Sequence, residues 1–147
     1  MEPYASGMFK KSPYVKKKII KGNIVVILDF IAKERGLNLI KPHSRAVKKN
    51  EIHEIMTTAE KGAAPGEAVN DVAYVGFFEV EEGGVIVVED KVYIGKKLIG
   101  KVVGFDDTHM PNHQNIILYA PKKKTGVELK INLDEKILFK KKRKGEK

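Results

Sequence analysis

The densest polar chemistry in the chain lies between Asp106 and Asn115. The segment reads DDTHMPNHQN and packs two carboxylates (Asp106, Asp107), two imidazoles (His109, His113) and three amides (Asn112, Gln114, Asn115) into ten residues. It also holds two of the four histidines. His109 and His113 have H-x3-H spacing, which on a helix would put both rings on one face as metal ligands. Pro111 blocks a regular helix through the pair, so a non-helical loop has to converge them. With an oxygen from Asp106 or Asp107, the resulting mixed site suits Zn, Ni, Fe or Mn and leaves positions open to water. No HExxH and no third fixed ligand accompany the pair. Two other readings therefore stand beside the metal: metal-free ligand binding or acid–base chemistry by the same side chains, and a plain loop of Asx turns and caps.

Two further histidines lie outside this segment. His43 sits in KPHSR, where Arg45 two residues on completes a plausible anion contact. His53 falls on a predicted helix, off its apolar face. The candidate ligand-binding residues are thus His43, Arg45, Asp106, Asp107, His109, Asn112, His113 and Asn115, with His109, His113, Asp106 and Asp107 as the metal candidates. Much other chemistry is excluded. The absence of cysteine removes thiolate metal sites, disulfides and a cysteine nucleophile. There is no GxSxG elbow and no GxxxxGK[ST] phosphate loop. Tyr74, Phe77, Phe78 and Phe105 fall on predicted strands, where core packing explains them better than base stacking.

The elements that must position the loop read as mostly β. Ile24–Ile31 is β-branched and nearly continuous, as a buried strand is. Gly36 turns the chain, and Leu37–Ile40 is read as a returning strand; a helix over Phe30–Arg35 is the alternative. Ile52, Ile55, Met56 and Ala59 recur at i, i+3, i+4 and i+7, with Asn50 as cap and Gly62 as terminator, and predict one short helix over about 51–61. Lys61–Asn70 reads as a flexible loop. Strands follow at Val72–Val80, Val85–Val88, Val92–Ile94, Leu98–Phe105, Ile116–Ala120, Val127–Leu133 and Ile137–Phe139. Gly100 and Gly104 inside a strand mark bends or bulges. Short strands separated by glycine turns predict a small closed or partly open β-barrel of antiparallel strands. A ten-residue connection on such a scaffold is longer than a hairpin needs, which is typical of functional loops.

The stretch PGEAVNDVAYVGFFEVEEGGVIVVEDKV, followed by IGKVVGFDDTHMPNHQNI, resembles a small uncharacterised prokaryotic family, a domain of unknown function, over about residues 41–120. That resemblance implies a bacterial or archaeal origin and carries no assigned activity. GKKLIGKVVGFD is also similar to strand pairs of small closed barrels of the PRC type. Neither resemblance supplies catalytic residues.

Length and charge complete the picture. A chain of 147 residues suits one domain. The net charge of +9 is unevenly placed: residues 1–23 carry +5, residues 136–147 carry +6, and the body between them −2. The expected layout is a basic flexible tail over 1–17, one domain over 18–140 and a second basic tail over 141–147. Lys outnumbers Arg 25 to 3, a bias unlike that of phosphate-reading surfaces. No apolar run approaches the ~20 residues of a membrane span, and no signal-type apolar stretch follows the N-terminal lysines, so a cytoplasmic protein is expected. Three functions follow as expectations. The first is a binding module for a small molecule or partner protein, dimeric through exposed strand edges. The second is a metal-dependent enzyme using the Asp106–Asn115 loop. The third is weak, salt-dependent nucleic-acid binding through the basic tails.

Overall fold

The structure, a computed structural model, describes residues 17–142. The two expected tails lie outside the described residues, apart from Lys17, Lys141 and Lys142. Among the described residues there are eleven strands and no helix. Seven of them form one sheet that closes in a ring: β1 (Ile20–Ala32), β11 (Lys136–Lys140), β8 (Lys91–Ile94), β9 (Lys97–Asp106), β10 (Asn115–Tyr119), β4 (Ile52–Thr58) and β6 (Val72–Glu82), which returns to β1. Every contact around the ring is antiparallel except β10 with β4, which run parallel. Two small ribbons complete the fold: β2 (Leu37–Asn38) with β5 (Ala68–Val69), and β3 (Ser44–Val47) with β7 (Gly84–Val87).

Alternation along each strand gives the ring two faces. All seven strands contribute to the inner cluster, including Ile24, Ile55, Phe78, Phe105, Ile116 and Phe139. A second cluster lies on the outer wall, where Met56 and Ile117 meet Leu37, Leu39 and Val69. Met56 follows Ile55 and Ile117 follows Ile116, so strands β4 and β10 are buried on both faces. Gly104 makes the outer layer possible. A Cβ there would stand 2.8 Å from Leu39 Cδ1, so the missing side chain is the seat on which Leu39 rests. Leu39 also bridges Asp106, and Ile40 N donates to Phe105 O. This docking fixes the Arg35–Asn38 segment against the mouth of the 106–115 loop.

Three sequence expectations need correction. The segment read as a helix over about 51–61 is strand β4. Its apolar spacing fits 3.6 residues only by coincidence: Ile55 and Met56 face opposite clusters, and Ile52 is exposed. Buried Thr57 and Thr58 satisfy their hydroxyls on Lys124 O and Asp71 O, and β-branched residues favour strands. Asn50 is a left-handed turn residue (φ 76°), and Gly62 lies in a turn. Val127–Leu133 is not a strand either. The Thr125 N–Glu128 Oε1 and Glu128 N–Thr125 Oγ1 bonds, with Asn132 N–Glu135 Oε1, hold two turns instead. Side chains there take backbone donors that a ladder would use. Finally, the strand expected over Leu37–Ile40 shrinks to Leu37–Asn38 and pairs with β5, not with β1, which runs on to Ala32 and leaves no helix over Phe30–Arg35.

Candidate functional site

The register of the ring sets four outward-facing side chains in a row. Asp106 on β9 opposes Asn115 on β10, Asn115 opposes Glu54 on β4, and Glu54 opposes Phe77 on β6. The residues between Asp106 and Asn115 fold over this row. Asp106 anchors the arrangement. It accepts from Asn38 N (3.0 Å), Thr108 N (2.9 Å) and Asn115 Nδ2 (3.1 Å). Burial alone would raise its pKa, but these donors together hold it below the ordinary carboxylate value.

Because Asn115 Nδ2 is committed to an ionised carboxylate, its Oδ1 must face the other way. That oxygen is buried and has no hydrogen-bond partner. Beside it stand Glu54 and His113. Glu54 is only 4% exposed. Desolvation raises its pKa to about 7, against the opposing pull of the Arg35 guanidinium. His113 Nδ1 lies 2.8 Å from Asn112 Nδ2, which makes Nδ1 the acceptor and leaves the proton on Nε2. His113 Nε2 is 3.3 Å from Glu54 Oε1, within ion-pair reach but without hydrogen-bond alignment, so it too is buried and unpaired. Desolvation, then the neighbouring His109 and His53, lower the pKa of His113, and the Asn115 amide opposes them. At neutral pH the favoured state of the pair is thus a neutral imidazole beside a carboxyl near its midpoint.

The other imidazoles are fixed around this pair. His109 stacks on His113, with centroids 4.9 Å apart and planes at 31°. Its Nε2 is 3.4 Å from an Arg35 guanidinium nitrogen, so it serves as acceptor. Arg35 is held in turn by Tyr74 Oη at 2.8 Å. Phe77 meets His113 edge-on at 5.0 Å. His53 Nδ1 accepts from Gln114 N (3.0 Å) and its Nε2 faces Glu51 Oε1 (3.2 Å). The Lys48 amide, followed by His53, holds the Glu51 pKa below its ordinary value. A cleft of about 530 Å³ opens outside the group, between Asn50–His53, Phe77 and the Met110–His113 segment. His113 is the wall shared by this cleft and the buried carboxyl.

The sequence candidates divide accordingly. Asp106, His109, Asn112, His113 and Asn115 come together. Asp107 and Arg45 form a neighbouring pair at 3.9 Å, and Asp107 accepts from Gln114 Nε2. His43 is exposed, and its side chain has no partner among the described residues. The expected metal centre at His109, His113 and Asp106 or Asp107 finds no ligand set: among the described residues no group of three or more His, Asp or Glu is placed to hold an ion. The reason is local. Asp106 and Asp107 are occupied by backbone and amide donors, His113 Nδ1 by Asn112, and the His109 Nε2 faces a guanidinium, which repels a cation. Sequence reasoning missed Glu54, Arg35, Tyr74 and Phe77. The available signal was a lone glutamate inside the apolar run IHEIM.

The comparisons with known proteins agree with the resemblance noted above. A family of unknown function, DUF6917, matches residues 14–140, wider than the 41–120 expected from the motif stretches. No curated protein and no solved structure matches the chain. With nearly all of the described residues inside that match, the chain belongs to the DUF6917 family of unknown function.

Proposed function

We propose that the protein is a small-ligand-binding module, a β-barrel that seats its ligand in the cleft beside His53, Phe77 and His113. The observation that carries this reading is a cleft whose wall, His113, covers buried polar atoms left unmatched on its far side, His113 Nε2 and Asn115 Oδ1, beside the Glu54 carboxyl. Native proteins seldom leave such groups unmatched, and a water or ligand polar group is the usual partner. The cleft sets apolar surface from Ile52, Phe77, Met110 and Pro111 beside polar groups of Asn50, Glu51, His53, Asn112 and His113, so a ligand there meets both apolar contact and hydrogen-bonding partners. The test is a soluble fragment library screened by protein-observed NMR against histidine-labelled protein. Hits should perturb the His113 and His53 ring protons and vanish in Phe77→Asp and His113→Gln. Hits indifferent to both substitutions, or none at millimolar concentration, refute the reading.

A second reading rests on geometry, the buried Glu54 carboxyl 3.3 Å from His113 Nε2, where burial raises the carboxyl pKa to about 7. A carboxyl poised near neutrality against a neutral imidazole is able to take and return a proton, as metal-free general acid–base chemistry requires. The two readings separate in Glu54→Gln: a pure binding module keeps its ligand, whereas turnover by a proton-transferring enzyme is lost.

A further inference from the structure

A second concavity lies where the first and last described residues meet the β3–β7 ribbon. It encloses about 800 Å³ and is lined by Gly83–Val88, except Ile86, together with Glu89, Asp90 and lysines 17, 18, 141 and 142. Val85 and Val87 alternate with buried Ile86, so both valines share the face that looks into the groove. Val85 is 45% exposed, so its side chain offers apolar surface to the groove.

The rim is cationic in effect. Buried Asp90 is already taken by Val87 N (3.0 Å) and by Lys17 Nζ (2.9 Å). Glu89 is engaged by Lys101 (3.3 Å) and Lys142 (3.7 Å). Both acids at the mouth are therefore neutralised, while Lys18 and Lys141 are exposed and have no partner among the described residues. An apolar trough rimmed by ammonium groups that have no partner among the described residues is complementary in charge and polarity to an amphiphilic anion. We infer that this groove binds a soluble amphiphilic anion, a carboxylate on an unbranched hydrocarbon chain, with the chain along Val85 and Val87 and the head group at Lys18 and Lys141. The groove is separate from the histidine cleft, so this inference does not rest on the function proposed above.

Titration of the full chain with octanoate, decanoate and dodecanoate, below their micellar concentrations and followed by amide NMR, tests it. Saturable one-to-one binding with shifts centred on Val85, Val87 and Val88 is expected. Affinity should rise roughly threefold to fourfold per added methylene. Lys18→Glu/Lys141→Glu should weaken decanoate by at least about fivefold and leave decan-1-ol nearly unchanged. Val85→Glu, at an exposed position that tolerates the change, should abolish both. Equal binding of the acid and the alcohol, indifference to Val85→Glu, or binding only to phosphatidylglycerol vesicles would each overturn the inference. So would a Val85-dependent dimer that excludes the acids, since the groove would then be an interface between two copies.

Discussion

Glu54→Gln should stabilise the protein, and the gain should grow with pH. The folded state holds the Glu54 pKa at about 7 because the side chain is buried between β10 and β6, whereas the unfolded chain titrates near 4.5. Below pH 4.5 both states are protonated and the carboxyl behaves much like the amide. Between 4.5 and 7 the unfolded chain loses its proton and the folded one keeps it. Unfolding then releases a proton, so stability falls as pH rises. Above 7 both states are ionised and the loss is complete, at most about 3 kcal/mol. For a domain of this size that corresponds to roughly 6–12 °C in Tm. Glutamine removes the charge and keeps the shape, so the variant's advantage should be near zero at pH 4 and close to its full value at pH 8.5. Chemical denaturation at four or five pH values, plotted as variant minus wild type, cancels titrations not coupled to Glu54. Parallel curves for the two proteins between pH 5 and 8 would refute the claim that a desolvated carboxyl sits behind His113.

Four further outcomes follow from the same geometry. Arg35→Gln removes the cation that lowers the Glu54 pKa, so the carboxyl midpoint read by ¹³C NMR should move above 7. His113 should titrate below the ordinary 6.5, and His109→Ala should move its ring-proton midpoint upward by removing the neighbouring ring that opposes its protonation. Its sign is opposite to that of Glu54: a depressed histidine costs stability as pH falls through 6.5 toward the folded value. Asp106→Ala leaves the Asn38 and Thr108 amides and the Asn115 side chain without their acceptor, and should cost about 3 kcal/mol by denaturant unfolding at pH 7. Gly104→Ala should cost about 1–3 kcal/mol by pushing Leu39 off the outer wall, with part recovered in Gly104→Ala/Leu39→Ala.

Local pattern was a good guide to most strands and a poor one to their partners. The β-branched run at Ile24–Ile31, the continuous Val72–Val80 and the glycine-punctuated Leu98–Phe105 each appear within a few residues of the expected bounds. Gly104 does accompany an irregular register, between Ile117 and Leu118 on the facing strand. The parallel pairing of β4 with β10 has no local signature, because its partners lie 61 residues apart and its outer face is covered by Leu37, Leu39 and Val69 from other parts of the chain. That pairing also explains the failure at 51–61. A strand buried on both faces loses its two-residue alternation, and what is left of the apolar pattern mimics a helix.

The site was half legible for a related reason. Composition alone singled out Asp106–Asn115, since no other ten residues concentrate so many polar groups, and the structure does gather five of the eight candidates there. Composition cannot say which of these groups are consumed by holding the loop. Asp106 and Asp107 are spent on donors within the loop and its neighbours, so the residues that looked most like ligands are the ones that build the scaffold. The group whose pKa burial raises is instead Glu54, which arrives from the β4 strand because the parallel register sets it opposite Asn115. Its neighbours Ile52, Ile55 and Met56 read as ordinary apolar spacing, and one glutamate among them resembles a solvent-facing position. Burial converts that glutamate from a solubilising residue into one whose charge state changes near neutral pH. The polar loop therefore acts as a cover, and the buried carboxyl it covers comes from the strand beneath it.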